Sequence, residues 1–418
     1  VDLFGSVAYA AFIGIMMVLM LVYVITYKKQ HVKISRGDFF AGLAIYIIVC
    51  IGSILVGRNS SSYSLFEYVF YAFFIFAVLA VLQYTDIEFI FNVYEIVGII
   101  LGAEAIWEFA TGNILYRTAV DFQVMRRAYG LIGSPLTLGM VLACVGIISF
   151  YRARNESKIH LLPGVIAVIG MFCTQSRGPI VGLFVGLICE AYFDERRKSR
   201  EKGTAFAKTL IEVLLVVAVL ALAFRIASNY FPLMQDLYKR IQTILEWGEA
   251  GTSNYTRQQR WAYALELHRE YPIFGYGISS TGPHASTGII TESGVLKRLV
   301  EIGIVGFVIY YGTYITETVR SIRICDKKQD FYAPIAIGLI SAIFVENIIM
   351  QIVESAAVYL IFSISLGYLL KISRVGVLCK ELLTRILKLL RWLIGKSERG
   401  LHYYYGNSKI IGGERWCC

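Results

Sequence analysis

The feature that most constrains this chain is a succession of apolar runs, each near the length of a bilayer crossing and each ended by a polar turn. They lie near residues 4–27, 38–57, 63–84, 86–110, 131–150, 161–174, 178–193, 208–227, 294–317, 332–350 and 354–371. About 20 apolar residues in helical geometry cross the hydrocarbon core of a membrane, so these eleven runs are candidate spans. Composition agrees, with 57% hydrophobic and 17% charged residues, against roughly 45–50% and 25% in soluble domains. The expected fold is an all-α polytopic membrane protein of about 11–12 helices. Its loops leave room for one sizeable extramembrane segment and for no separate soluble catalytic domain.

Lys and Arg outnumber Asp and Glu by 40 to 30, a formal charge of +10. These cations crowd into loops, which points to anionic headgroups and anionic lipid-linked substrates as partners, and away from nucleic acid. They also fall in alternate connections: Lys28, Lys29, Lys33 and Arg36; Arg152, Arg154 and Lys158; Arg196, Arg197, Lys198, Arg200 and Lys202; Arg320, Arg323, Lys327 and Lys328. The positive-inside rule makes those loops cytoplasmic. Val1 then lies outside, which predicts one further span before it, twelve in all with both termini inside. On this reading the chain divides into an N-terminal transmembrane bundle, 1–227, a large extracytoplasmic helical loop, 228–293, further transmembrane helices, 294–372, and a cytoplasmic tail, 373–418. Within that tail, the basic amphipathic run 377–396 is expected to lie in the membrane interface as an anchor.

The eight cysteines show no metal-ligand spacing. Cys50, Cys144, Cys173, Cys189, Cys325 and Cys379 read as unpaired thiols, and Cys417 and Cys418 as lipidated or inert. No metal site and no cofactor are expected.

Chemistry concentrates outside. Leu233, Leu237, Ile241, Ile244 and Leu245 recur at helical spacing, as in a helix lying on the outer surface. After Gly251-Thr252-Ser253 a second helix is expected from Asn254, stopped by Pro272. Arg257, Arg260, Trp261, Ala264, Leu265 and His268 share one stripe of it. Such a stripe suits a phosphate-bearing substrate, because guanidinium makes planar bidentate contacts to phosphate oxygens; a solvated basic face on lipid headgroups is the alternative. Arg177, in Cys173-Thr-Gln-Ser-Arg-Gly-Pro179, lies between two apolar runs where Gly178 and Pro179 permit a broken helix. A cation at that depth needs a partner or a wet cavity, and reads as an anion site or as half of a structural ion pair. Glu104 with Glu108, or Asn347 with Gln351 and Glu354, are candidates to line a polar cavity below the outer loop. Glu354 reads equally as a counter-ion for an arginine, and Glu346 as a buried structural carboxylate. Tyr238, Trp247, Tyr255, Trp261, Tyr263, Tyr271 and Tyr276 suit sugar stacking and an interfacial belt alike.

Three stretches taken in order carry a resemblance: Arg257-Gln-Gln-Arg-Trp261 followed by Ala264, Tyr271-Pro-Ile-Phe-Gly-Tyr-Gly277, and Leu296-Lys-Arg-Leu-Val-Glu-Ile-Gly-Ile-Val-Gly306. Their order resembles the core signature of the O-antigen ligase and polymerase superfamily, and Ser176-Arg177-Gly178 is similar to the Ser-Arg-Gly of that family. The resemblance covers most of residues 60–372. It implies a metal-independent membrane glycosyltransferase of GT-C architecture in the bacterial cytoplasmic membrane. Its active site would be on the extracytoplasmic face, acting on undecaprenyl-diphosphate-linked oligosaccharides.

Where ligases carry His-Asn before the last motif, this chain has Glu292-Ser293, and the nearest histidine, His284, lies eight residues upstream. That departure favours a polymerase of lipid-linked repeats. The spacing from Arg240 to Gly251 fits an Arg, ten residues, Gly pattern of some polymerases and adds little. Departure of the diphosphate needs charge stabilisation, which fixed guanidinium groups supply without metal; Arg177, catalytic as well as binding, and Arg257 are the first choices, with Arg260 supporting them. Glu292 is the first candidate to receive the acceptor proton and His284 the second. A chain-length regulator and a flippase of the same pathway are the partners the resemblance suggests. The rival readings are a ligase with a displaced histidine, a transporter, and a sensor or scaffold. A transporter is disfavoured because no paired broken helices in two related halves are visible.

Overall fold

The computed structural model describes residues 37–56, 85–114, 127–198, 253–281 and 290–372, with single positions 68, 74, 75, 78, 82, 211, 225, 229 and 235 between them. Among the described residues the chain is helical, without strands. The helices are α1 Gly37–Val56, α2 Ile87–Thr111, α3 Pro135–Asn155, α4 Leu161–Cys173, α5 Arg177–Lys198, α6 Ser253–Glu270, α7 Gly294–Lys328, α8 Ala333–Ile349 and α9 Ala356–Ile372. All but α6 coincide with apolar runs, because a backbone in hydrocarbon must satisfy its own N–H and C=O groups. Three stretches, Ile87–Thr111, Pro135–Asn155 and Gly294–Arg323, are long and apolar enough to cross a membrane; α8, α9, the Ala41–Leu55 part of α1, and α4 with the turn before it (Lys158–Cys173) are apolar but shorter. Among the described residues the architecture is that of an all-α membrane protein.

Helix ends follow local chemistry. Ser134 caps α3, its hydroxyl accepting from the Thr137 N–H, with Pro135 in the first turn. Gly112, at φ 76, closes α2 in the left-handed conformation.

Small residues decide which helices pair. Gly178, Gly182 and Gly186 form an i, i+4 stripe on α5 and face Glu346, Ala342 and Gly338 of α8, which are spaced the same way in the opposite direction. A Cβ at Gly186 would lie 3.0 Å from the Gly338 carbonyl oxygen and 3.0 Å from the Ala342 Cβ. Gly102 and Gly170 let α2 and α4 meet as closely, a Cβ on Gly170 coming 2.7 Å from the Gly102 Cα. In lipid, where apolar burial gives helices no reason to associate, such backbone approach is a main source of attraction. Helix α3 runs through the centre and is buried along most of its length.

One end of the bundle gathers charge. Arg152, 2% exposed, donates to Asn92 (2.7 Å), Glu95 (2.9 Å) and Glu156 (2.9 Å), and His160 Nδ1 lies 2.9 Å from the same Glu95. Beside it, the buried Asp194 carboxylate takes Arg154 (3.1 Å), Arg197 (2.8 Å) and Lys198 (2.8 Å), and Arg154 also reaches Glu190 (2.6 Å). The expectation that Arg152 is a loop cation therefore needs correction. It sits inside the bundle, held by carboxylates on α2 and by Glu156. Cys50, Cys144, Cys173 and Cys189 are free thiols, as expected.

The initial run 4–27, most of 63–84 and 208–227, the first outer helix near 230–245, Arg240, Gly251, His284 and the amphipathic run 377–396 lie outside the described residues.

Candidate functional site at the opposite end

Helix α6 forms where the sequence places it, ending at Glu270 two residues before Pro272. It docks on α7 through Ala264, Leu267 and Val300. The chain then turns back along α7, and the reason lies in Gly303. That residue adopts φ 63 and ψ −175 and breaks α7, so the carbonyls of Val300 and Glu301 and the N–H groups of Ile304 and Val305 lose their partners across the break. The 272–277 segment takes all four. Tyr276 N–H donates to the Val300 oxygen (2.7 Å) and Gly277 N–H to the Glu301 oxygen (3.2 Å), while Ile304 N–H reaches the Pro272 oxygen (2.9 Å) and Val305 N–H the Ile273 oxygen (3.2 Å). Gly275, at φ 83, is required as well, because a Cβ there would sit 2.5 Å from the backbone of Glu301. The Pro-x-x-Gly-x-Gly and Glu-x-Gly motifs are thus two halves of one backbone clamp.

Glu301 locks the clamp. Its buried carboxylate accepts from the Tyr68 hydroxyl and from the Thr281 N–H (3.3 Å) and hydroxyl (3.1 Å), and its carbonyl accepts from Ser53 (2.7 Å). Next to it the Arg298 guanidinium lies 3.8 Å from the Tyr68 ring centroid and 5.4 Å from that of Tyr310, a desolvated cation–π arrangement. Lys297 pairs with Glu354 at 2.7 Å. Glu354 is a counter-ion, as one of its two readings had it: it pairs with Lys297, and its charge also acts on the neighbouring Arg298.

The predicted arginines converge next to this clamp. Arg257 Nε donates to Glu292 Oε2 at 2.9 Å, and Arg260 donates to Oε1 of the same carboxylate. Glu292 has φ 50, an uncommon backbone conformation for a side chain other than glycine, and this turn delivers its carboxylate to both arginines. The second guanidinium nitrogen of Arg257 reaches the Met350 sulfur (3.4 Å) at the end of α8. One turn earlier on α8, Glu346 lies fully buried with its carboxylate packed against Gly178, and Arg257 is the cation whose field reaches it. The end of α8 therefore gathers the start of α5, which carries Arg177, and the helix carrying Arg257 and Arg260.

Of the other polar candidates, two hold the loop at 129–131 and two pack against the segment that carries Glu292. Glu108 accepts the N–H groups of Tyr129 (2.7 Å) and Gly130 (2.8 Å), and Glu104 that of Leu131 (3.0 Å), so both carboxylates hold a loop. Asn347 donates to the Tyr311 hydroxyl (3.2 Å) and Gln351 to the Thr291 hydroxyl (2.5 Å). His268 faces α7 at Leu299, where burial holds its imidazole below the usual range against a backbone hydrogen bond that acts the other way. Leu265 points outward, 42% exposed, so the stripe is narrower than its spacing implied. No group of three His, Cys, Asp or Glu side chains able to hold a metal occurs among the described residues.

Sequence reasoning missed Arg127, whose guanidinium bonds the Thr174 carbonyl and the Ser176 hydroxyl next to Arg177. The sequence offers two adjacent arginines there, Arg126 and Arg127, with no signal to choose between them.

No curated protein matches the chain. Residues 162–311 match a family model described as O-antigen ligase. That stretch runs from α4 into α7 and contains Arg177, Arg257, Arg260, Glu292 and the backbone clamp; over it, this chain is similar to the O-antigen ligases, the superfamily that its ordered motifs resemble.

Proposed function

We propose that this protein is a polymerase of lipid-linked oligosaccharide repeats, a GT-C-type glycosyltransferase of the bacterial cytoplasmic membrane working on its outer face. The observation that carries the reading is the convergence of Arg257 and Arg260 on Glu292, at the register where the family's ligases place a histidine. Two guanidinium groups fixed on one helix, with the start of α5, which carries Arg177, packed against the end of α8, support a charge set suited to a diphosphate.

In the reaction, a hydroxyl of the acceptor repeat attacks the anomeric carbon of the donor glycan. The new C–O bond forms on the face opposite the departing group, so configuration inverts. The old C–O bond breaks with its electron pair passing to the diphosphate oxygen, and undecaprenyl diphosphate leaves. Arg177, Arg257 and Arg260 take up the developing negative charge. In the resting site Glu292 is the counter-ion of Arg257 and Arg260. When the diphosphate arrives, the guanidinium groups turn to its oxygens and the freed carboxylate receives the acceptor proton. A chain-length regulator and a flippase of the same pathway are the expected partners, and the surrounding lipids the expected solvent.

The test is purified protein with an undecaprenyl-diphosphate-linked repeat as sole substrate, in the presence of chelator, read as a ladder on a gel. A ladder is expected. Arg177→Ala and Arg257→Ala should each lose about 100-fold or more in rate, the range for removing one fixed oxyanion donor. Glu292→Gln should lose about as much while still binding donor. Wild-type polymerisation by Arg177→Ala would overturn the assignment.

A ligase is the second reading, favoured by the description of the matched family. It predicts no ladder, transfer once a lipid A core or protein acceptor is added, abolition by His284→Ala, and a mild Glu292→Gln phenotype. Absence of transfer to any acceptor would bring transport forward.

A further inference from the structure

The turn that precedes Arg177 is held from outside itself. Thr174, Gln175 and Ser176 are all buried, and Gln175 has φ 53, a left-handed conformation that a non-glycine residue keeps only where its surroundings over-determine it. Within the turn, the Thr174 hydroxyl donates to the Met171 carbonyl (2.7 Å) and receives the Ser176 N–H (3.3 Å). The Ser176 hydroxyl also lies 3.5 Å from the Thr174 carbonyl, and Arg127 bridges both groups from outside the turn. Its Nε donates to the Thr174 oxygen and its terminal nitrogen to Ser176 Oγ, each at 3.0 Å. Ser176 Oγ in turn donates to the Pro135 carbonyl at 3.0 Å, tying the start of α3 into the same network. Ala128 N–H adds a bond to the Cys173 oxygen (3.1 Å). The segment bearing Arg127 is itself fastened to α2 through Glu104 and Glu108.

We propose that Arg127 is a positioning residue for Arg177: its planar fork fixes the carbonyl and the hydroxyl on either side of Gln175, and so sets where α5 begins and where its first side chain sits. The proposal rests on the reading of Arg177 as a diphosphate ligand. A lysine cannot reproduce the fork, since its ammonium is a point donor without the rigid spacing of two N–H groups. A guanidinium misplaced by a fraction of an ångström loses most of its value to a preorganised site, so a residue that never touches substrate can govern its binding.

The experiment is a double-mutant cycle on the full-length protein in nanodiscs, with undecaprenyl diphosphate as the probe and its Kd as the readout. Wild type, Arg127→Ala, Arg177→Ala and the double variant are compared. Residues coupled through one network deviate from additivity, whereas independent ones add. Arg127→Ala is expected to weaken binding about tenfold when Arg177 is present and less than about twofold when residue 177 is alanine. Arg127→Lys should follow the alanine variant, and it replaces that variant in the cycle if the alanine substitution prevents insertion. Equal losses in both backgrounds, or no loss in either, would overturn the proposal while leaving the Arg177 assignment standing. An Arg177→Ala protein that binds the probe as wild type does would instead remove the underlying reading, and the proposal with it.

Discussion

Glu292 carries two kinds of information at the scale of a residue. Its identity was visible in the sequence, as a carboxylate where the ligases that the chain resembles have a histidine. Its backbone conformation, φ 50, and its hold on two arginines were not, because neither follows from neighbours in sequence. Arg257 and Glu292 are brought together by the clamp at Gly303, a tertiary event. His268 supports a second argument at this scale. Burial lowers its folded pKa, so the unfolded chain binds the proton more tightly and the neutral imidazole stabilises the docked α6. That contribution is present above the unfolded value, about 6.5, and is lost as pH falls through the lower folded value. Thermal unfolding of the purified protein should therefore show a midpoint that declines as pH drops below about 6.5. His268→Gln should flatten that decline; a variant with the wild-type pH profile would contradict it.

Elements pair here by backbone proximity, and α5 against α8 is the clearest case. The i, i+4 spacing of Gly178, Gly182 and Gly186 is legible in the sequence, as is that of Gly338 and Ala342, but the identity of the partner helix is not. Gly186→Leu should destabilise the protein, since its added atoms meet Ile147, Ala342 and the Gly338 carbonyl. Overpacking of this kind costs about 1–3 kcal/mol. Gly312 on α7, where a Cβ would meet nothing within 4 Å, provides the contrast: Gly312→Ala should be neutral or should stabilise by about 0.5–1 kcal/mol through helix propensity. The check is thermal unfolding in detergent. A Gly186→Leu protein as stable as wild type would mean that α5 and α8 do not approach as described.

For the whole molecule, the two ends differ in chemistry. One collects Arg152, Arg154, Arg197, Lys198 and His160 around buried carboxylates; the other collects Arg127, Arg257, Arg260 and Glu292. The first holds the connections that the positive-inside rule assigns to the cytoplasm. A membrane-impermeant maleimide applied to intact cells should therefore label Arg269→Cys, on the exposed part of α6, and should label Lys198→Cys only after permeabilisation. The reverse pattern would invert the topology and move the arginine site to the cytoplasm.

Local physics accounts for what the sequence determined by itself. Hydrocarbon admits only self-satisfied backbone, so run length and apolarity were enough to locate α1 to α5 and α7 to α9, and the Pro272 stop was enough to end α6. The ordered motifs likewise marked the stretch from α4 to α7 that matches the O-antigen ligase family. Only the tertiary structure decided what those motifs do. The glycines and Pro272 proved to be a backbone exchange across the break at Gly303. Glu104 and Glu108 proved to hold a loop, and Arg127, one of two adjacent arginines, to hold the turn before Arg177. Each of these depends on groups distant in sequence meeting at hydrogen-bond range, and helical periodicity carries no information about such meetings.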